Sequence, residues 1–259
     1  MPPTVAARFR RIGVGSGAPR APSPALMEGR RTGIGWFATA LYAFGIALSR
    51  VSKGRCRLFG YRFYAQPVPD RAFVRARAGA GMRVDRVEPD DAIVAQFPRP
   101  RHVIARRFEQ GAVCYVARSD DRFAGYIWLQ LAGYEEDEVR CRYVPSPVES
   151  TAWDYDVYVA PEFRMSRAFL RLWDAANEYL RASGVSWTLS RISMFNPSSL
   201  GAHARLGIRA VGKAIFIRMT GTELGLFSMA PFVHVSRRID DRPVVTLRAP
   251  APGDEPRSG

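Results

Sequence analysis

Period-two alternation marks some short stretches of this chain as strands, and recurrence at three and four residues marks others as helices. Arg57–Ala65 alternates and is closed by Gln66-Pro67-Val68-Pro69. After a linker-like Ala/Gly/Arg stretch through Gly81, Met82–Val87 reads as a strand, and two short helical pieces fit between Pro89 and Glu109. Ala112–Arg118 and Phe123–Leu131, joined by Ser119-Asp120-Asp121, read as a hairpin. An acidic loop at Glu135–Glu138 precedes a strand at Ala152–Val159. A helix then spans Arg167–Arg181, with Phe169, Trp173, Ala176 and Leu180 on one stripe and a stop at Ser183-Gly184. Ser186–Ser193, Ala214–Met219 and Val244–Leu247 are further strand-like runs.

Gly33–Ser49 is apolar throughout, at the short limit for a membrane span of about 20 residues. Phe37, Leu41, Phe44, Leu48 and Val51 recur on one stripe, with small residues between them. That spacing predicts a helix docked on the protein by this stripe; a helix on or across a membrane is the alternative. Basic residues at both ends (Arg30, Arg31; Arg50, Lys53, Arg55) give no charge asymmetry to orient a span. Residues 1–32 and 249–259 lack periodicity and read as disordered extensions, with Met27 an alternative start.

The net charge of +14 raises nucleic acid or an anionic surface as partners. All but two of the 38 basic residues (Lys53 and Lys213) are arginines scattered along the chain, a bias that a GC-rich bacterial genome produces without a selected patch. No nucleic acid partner is expected on that ground. Cys56, Cys114 and Cys141 form no metal or disulfide spacing, and the histidines (His102, His203 and His234) are scattered. The expectation is a reducing, cytoplasmic setting and no metal.

Asn196-Pro197-Ser198-Ser199-Leu200-Gly201-Ala202-His203-Ala204-Arg205-Leu206-Gly207-Ile208 is the most informative run. Asn caps a helix, Pro fits its first position and Gly207 stops it. Strand, Asn, short helix, Leu-Gly-apolar, strand resembles the C-terminal half of the GCN5-related N-acetyltransferase (GNAT) family, which reads N-x-x-A-x-x-x-Y-x-x-x-G-F here. Ser199 takes the Ala place, His203 the Tyr place, Gly207 the Gly place and Ile208 the Phe place, without a gap. The family Tyr often protonates the departing coenzyme A thiolate, so the resemblance makes His203 a candidate acid; the alternative is a half-buried packing histidine beside Leu200 and Leu206.

The same resemblance implies an α/β (α+β) fold: a mixed, mostly antiparallel central sheet flanked by helices. It covers about 82–219, leaving 33–81 as a helix and strand packed on that core and 220–248 as a C-terminal extension. The family holds the donor's pyrophosphate at an R/Q-x-x-G-x-G/A loop on a helix N-terminus, where unpaired N–H groups favour anions. Here Val159-Ala160-Pro161-Glu162-Phe163 leads to Arg164, but Met165, Arg167 and Phe169 stand where glycines are expected. Such a loop is expected to crowd a phosphate, with Ser166 and the Arg164 and Arg167 side chains replacing lost backbone contacts. Asn196 and Ser199 join these as donor-binding candidates, and the N–H at Val159 matches the family's carbonyl polariser.

Period two puts Asp154, Asp156 and Tyr158 on one strand face. In the family that strand borders the acceptor site, so the resemblance makes the two aspartates candidates to bind a cationic acceptor or relay its proton; a solvated polar face is the alternative. The function implied is N-acyl transfer from acetyl- or longer acyl-coenzyme A to an amine of a small molecule. Two alternatives stay open. One is an N-acyl synthase fed by acyl carrier protein, as the acyl-homoserine-lactone synthases resemble. The other is an inert acyl-ligand or partner-binding module. Oligomeric state is not legible.

Overall fold

A computed structural model describes residues 36–74, 81–238 and 240–251. The expectations for 1–32 and for 252–259 lie outside them. The described chain runs α1 (Trp36–Val51), β1 (Arg57–Pro67), β2 (Met82–Val87), a 3-10 turn (Ala92–Gln96), α2 (Arg101–Glu109), β3 (Val113–Ser119) and β4 (Arg122–Gln130). It continues through β5 (Tyr134–Glu135), β6 (Arg142–Ser146), β7 (Thr151–Val159), α3 (Ala168–Ala182), β8 (Trp187–Ser193) and α4 (Pro197–Ala204). Strands β9 (Arg209–Arg218), β10 (Glu223–Phe227), β11 (Val233–Ser236) and β12 (Val244–Arg248) complete it. This is a mixed α/β fold built on a large, mostly antiparallel sheet with helices against it.

Nine strands form that sheet, in the order β11-β10-β9-β1-β8-β7-β4-β3-β2, and β12, β6 and β5 form a second, smaller one. The N-terminal strand is therefore no accessory. β1 lies between β8 and β9, paired antiparallel to both, so residues 57–67 are a central strand of the fold. Its burial shows this: Tyr61, Phe63, Tyr64, Ala65 and Gln66 are all buried, on both faces. Likewise 220–248 supplies two strands to the main sheet and one to the small sheet. The sequence boundaries at 81 and 219 cut through one structure, because strand alternation reports which face is apolar and not which neighbour a strand finds.

Each face of the main sheet carries its own core. α3 covers one face, with Trp173, Leu172, Ala176 and Leu180 against Ile127, Leu129 and Ala152. The small sheet, the 3-10 turn and α2 cover the other, around Phe63, Trp128, Tyr143, Trp153 and Leu247. Aromatic rings continue across that second core: Tyr143 on Trp153 at 5.0 Å, Trp153 on Tyr134 at 5.8 Å and Tyr134 on Tyr155 at 4.3 Å between centroids.

At two places a glycine lets neighbouring elements approach closely. Gly125 of β4 faces β7 so tightly that a Cβ there would stand 2.3 Å from the Tyr158 carbonyl oxygen. Gly125→Ala must push the two strands apart and is expected to cost about 1–3 kcal/mol. An unshifted denaturant midpoint would contradict that contact.

The second place is on helix α1, which forms as the pattern predicts but docks by a different side. Ala38 is buried, and Leu41 packs with Met194 and Phe195. Gly45 approaches so near that a Cβ would lie 3.3 Å from Leu58 Cβ. Phe37, Phe44 and Val51, expected on the docked stripe, are exposed instead. Close approach to a strand selects the side with small side chains, and the large ones are left outside.

Candidate active site

The two central parallel strands part company. β7 pairs with β8 over Thr151–Trp153 against Trp187–Leu189 and no further. β8 follows β1 as far as Ser193 opposite Tyr61, while β7 follows β4 to Val159 opposite Gly125. The cause is a bulge in β7: Tyr155 faces Trp128 and Tyr158 faces Tyr126, so Asp156 and Val157 together oppose Ile127. Asp156 takes φ 49°, a left-handed conformation that Asp tolerates better than most residues. Bulges bend the strand that carries them. A cavity of ≈ 540 Å³ opens there, lined by residues of β7, β8, α2 and α4.

The bulge also separates the two candidate aspartates. Alternation holds from Ala152 to Tyr155, so Asp154 shares the α3 side with Ala152, and the added residue then sends Asp156 to the opposite side with Tyr126 and Tyr158. The expectation that Asp154, Asp156 and Tyr158 share a face is thus corrected: Asp156 and Tyr158 share one, and Asp154 does not. Period-two reading fails wherever a strand carries an extra residue.

Their environments differ as much as their directions. Asp156 accepts from Arg107 at 2.6 Å, from Nε and Nη2 of Arg99, and from the Tyr126 hydroxyl at 3.0 Å. Burial opposes ionisation, but Arg107 and Arg99 outweigh it and hold the Asp156 carboxyl below the usual range. Asp154 is buried without such cations. Burial pushes its carboxyl up to about 7. Its Oδ2 has no hydrogen-bond partner among the described residues, and neither has the Ser190 hydroxyl that lines the same cavity. Two carboxyls tuned in opposite directions assign themselves different tasks: Asp156 is a fixed anion, and Asp154 can exchange a proton near neutral pH.

His203 sits on α4 at the cavity wall, buried, with its ring edge-on to Phe169 at 5.6 Å and Trp173 at 6.0 Å. Its Nδ1 lies 2.9 Å from the Ser199 carbonyl oxygen, which can only accept, so Nδ1 carries the proton. Burial lowers its pKa, and the Ser199 bond offsets only part of that. A neutral imidazole with a bare Nε2 accepts a proton and holds none to give. The expected acid role does not fit this environment. Asn196 caps α4 as read, its Oδ1 accepting from the Ser199 N–H at 3.1 Å and the Ser198 hydroxyl at 2.8 Å, and both Asn196 and Ser199 line the cavity.

Between β7 and α3, Met165 is 99% exposed, so its side chain packs against nothing in the loop. Arg164, Ser166 and Arg167 are partly or fully exposed beside it. Ser166 Oγ donates to the Phe163 carbonyl at 2.6 Å and accepts from the Ala168 N–H at 3.1 Å, so its hydroxyl is engaged in the turn that leads into α3. The N–H groups of Met165, Arg167, Phe169 and Leu170 make no hydrogen bond among the described residues. Four unpaired amides at a helix start, with two arginines, suit an anionic phosphate group without any glycine. Ala160 N–H bonds to the Ala124 carbonyl at 2.9 Å, so alternation turns the Val159 N–H the other way, into the gap beside β8. The chain thus offers two strands that part beside a cavity, an amide turned to the unpaired side of β7, and unpaired amides at the start of α3.

Residues 84–208 match the sequence model of the acetyltransferase (GNAT) family. This segment is a GNAT domain. Among solved structures, a tandem GNAT protein from the clavulanic acid biosynthesis pathway aligns at 17% identity over 68% of this chain and 59% of its own, TM-score 0.47. A Novosphingobium aromaticivorans protein assigned to the GNAT family aligns at 17% identity over 63% and 66%, TM-score 0.43. A Staphylococcus epidermidis protein of unknown function aligns at 10% identity over 67% of each chain, TM-score 0.43. The likeness thus spans about two thirds or less of those chains. A search of curated protein sequences returns no match.

Several cavity residues of this GNAT domain went unread in the sequence. Arg107 is buried between Asp137 and Asp156, bonded to Asp137 at 2.8 Å and stacked over Tyr155 and Trp128 at 5.1 and 5.4 Å. Arg191 is paired with buried Glu136 and lies 4.3 Å over the Tyr61 ring. Glu138 accepts from the Tyr61 hydroxyl at 2.6 Å. The acidic loop at 135–138 therefore turns inward to meet arginines. One signal was available: Arg107 lies three residues beyond Ile104 and four beyond Val103, on the apolar side of α2. Among the described residues no group of three or more His, Cys, Asp or Glu could hold a metal ion.

Proposed function

We propose that this GNAT domain is an N-acyltransferase that moves an acyl group from acyl-coenzyme A to the amine of a small-molecule acceptor. The parting of β7 and β8 after Trp153 carries this reading, because it opens a cavity along Asp154–Val157 and leaves the side of β7 to which the Val159 N–H turns without a paired strand. The donor supplies a thioester, already activated toward amines. An extended pantetheine arm adds beside β7 much as a strand would. The Val159 N–H would polarise its carbonyl, and a fixed amide dipole in a partly dry cleft is worth more than one in water. The amides of Met165, Arg167, Phe169 and Leu170, with the Arg164 and Arg167 side chains, would hold the diphosphate.

An acceptor amine is protonated at neutral pH and must lose a proton before it attacks. Asp154, with its pKa near 7 and a free Oδ2, is the carboxyl suited to take that proton, directly or through one water. Asp156 serves differently: locked to Arg99 and Arg107, it holds the acceptor-side wall with Asp137. His203 shapes the slot next to Phe169.

Thermal melting against acetyl- and longer acyl-coenzyme A tests the donor assignment. At one hundred times its dissociation constant a donor should add about 2.7 kcal/mol, with thiol release once a suitable amine is present. A shift only with acylated carrier protein would replace the donor, with Arg164, Met165 and Arg167 as the contact. No shift with either would leave a module without acyl transfer.

A further inference from the structure

Helix α1 presents to solvent a face with no polar side chain on it. Its exposed positions before the last turn are Trp36, Phe37, Ala40, Ala43, Phe44 and Ala47, and Val51 closes the row. Trp36 is 83% exposed, Phe37 48%, Phe44 55% and Val51 85%. A helix resting on a globular protein ordinarily turns its polar side outward; this one is apolar on its outer side as well as its inner one. Its inner side is occupied by β1 and by the Met194-Phe195 turn, with Tyr42 against Phe195 at 5.3 Å, so the orientation is held by packing.

The neighbouring charge is of one sign. Arg50, Lys53, Arg55 and Arg57 are all exposed at the C-terminal end of the helix, and none makes an ion pair with a described residue. No Asp or Glu occurs anywhere from residue 29 to residue 69. A row of aromatic and aliphatic side chains beside an unneutralised cation cluster is complementary to acyl chains beneath anionic headgroups. The same face of a second copy offers the apolar half of that match and, with no Asp or Glu between residues 29 and 69, no anions for the cations. Among the described residues no helix is long and apolar enough to cross a membrane.

We infer that the outer face of α1 docks this protein on an anionic lipid bilayer, with Trp36, Phe37, Phe44 and Val51 entering the headgroup boundary and Arg50, Lys53, Arg55 and Arg57 contacting the lipid charge. None of these residues lines the catalytic cavity, and the contact does not depend on acyl transfer.

Flotation of the full chain with phosphatidylcholine vesicles, with and without 30% phosphatidylglycerol as a roughly physiological anionic fraction, tests it. Binding is expected to be about tenfold or more tighter with phosphatidylglycerol, to weaken with salt, and to shift Trp36 emission to the blue. Phe37→Ser with Phe44→Ser should abolish binding, and Lys53→Glu with Arg55→Glu should erase the lipid preference, all with an unchanged melting temperature because these side chains point outward. Equal binding to both vesicles, or none, would overturn the inference. So would sedimentation showing a dimer that Phe37→Ser with Phe44→Ser dissociates, since a second copy would then cover the face.

Discussion

Asp154→Asn is expected to slow acyl transfer by about 10²- to 10⁴-fold while making the folded chain more stable at pH 8. The two effects have one cause. Burial raises the Asp154 carboxyl to about 7 from an ordinary value of 3.8, so the folded chain keeps a proton that the unfolded chain releases between those pH values. Stability from this group is therefore full below about pH 4, falls as pH rises toward 7, and is flat above. Three units correspond to about 4 kcal/mol at pH 8. Asparagine carries no charge to desolvate, so the variant should match the parent at pH 4 and exceed it at pH 8. In activity the sign reverses. The carboxylate is the useful form, so kcat/KM of the parent should rise with pH and level off above about 7, and the variant should lose that limb. A variant that is stabilised at pH 8 yet keeps full activity would leave Asp154 a buried group without a catalytic task.

Arg107→Met should produce the largest loss of stability of any single substitution in the cavity wall. Methionine keeps much of the length of the side chain and removes the charge that Asp137 and Asp156 share. Breaking a buried pair from one side costs about 3–5 kcal/mol, because the remaining charge stays buried. Arg99 continues to neutralise Asp156, so the lower half of that range is expected at neutral pH. The pH dependence identifies the cause. Asp156 is held below its ordinary pKa, so its pairing stabilises the fold above about pH 4 and the benefit disappears as pH falls through the lowered value. Urea midpoints of parent and variant should therefore converge on acidification. A deficit that stays constant down to pH 3 would mean lost packing over Trp128 and Tyr155 instead of lost charge.

Local chemistry made much of this protein readable in its sequence. The cap at Asn196, the stop at Gly207, the hairpin after Ala112 and the amphipathic stripe of α3 each depend on residues within a few positions of one another. Short-range steric and hydrogen-bonding rules decide such features, and the gap-free run from Asn196 to Ile208 carried the family with it. The start of α3 was legible as a place in the chain, but the direction of its side chains was not: only the fold shows the Met165 side chain in solvent.

Tertiary structure alone decided the rest, for a consistent reason. β1 is central because β8 and β9 both leave it an open ladder, and pairing partners far apart in sequence leave no mark in the pattern of either strand. Asp154 and Asp156 face opposite ways because β7 carries an extra residue against β4, a matter of the neighbour and not of the strand's own pattern. Arg107 is buried because Asp137 and Asp156 arrive from elsewhere to neutralise it, and the His203 pKa is lowered because the ring is buried against Phe169 and Trp173 of α3. Residue types set what each group can do in water; burial and the charges brought beside it set which form it takes in the fold.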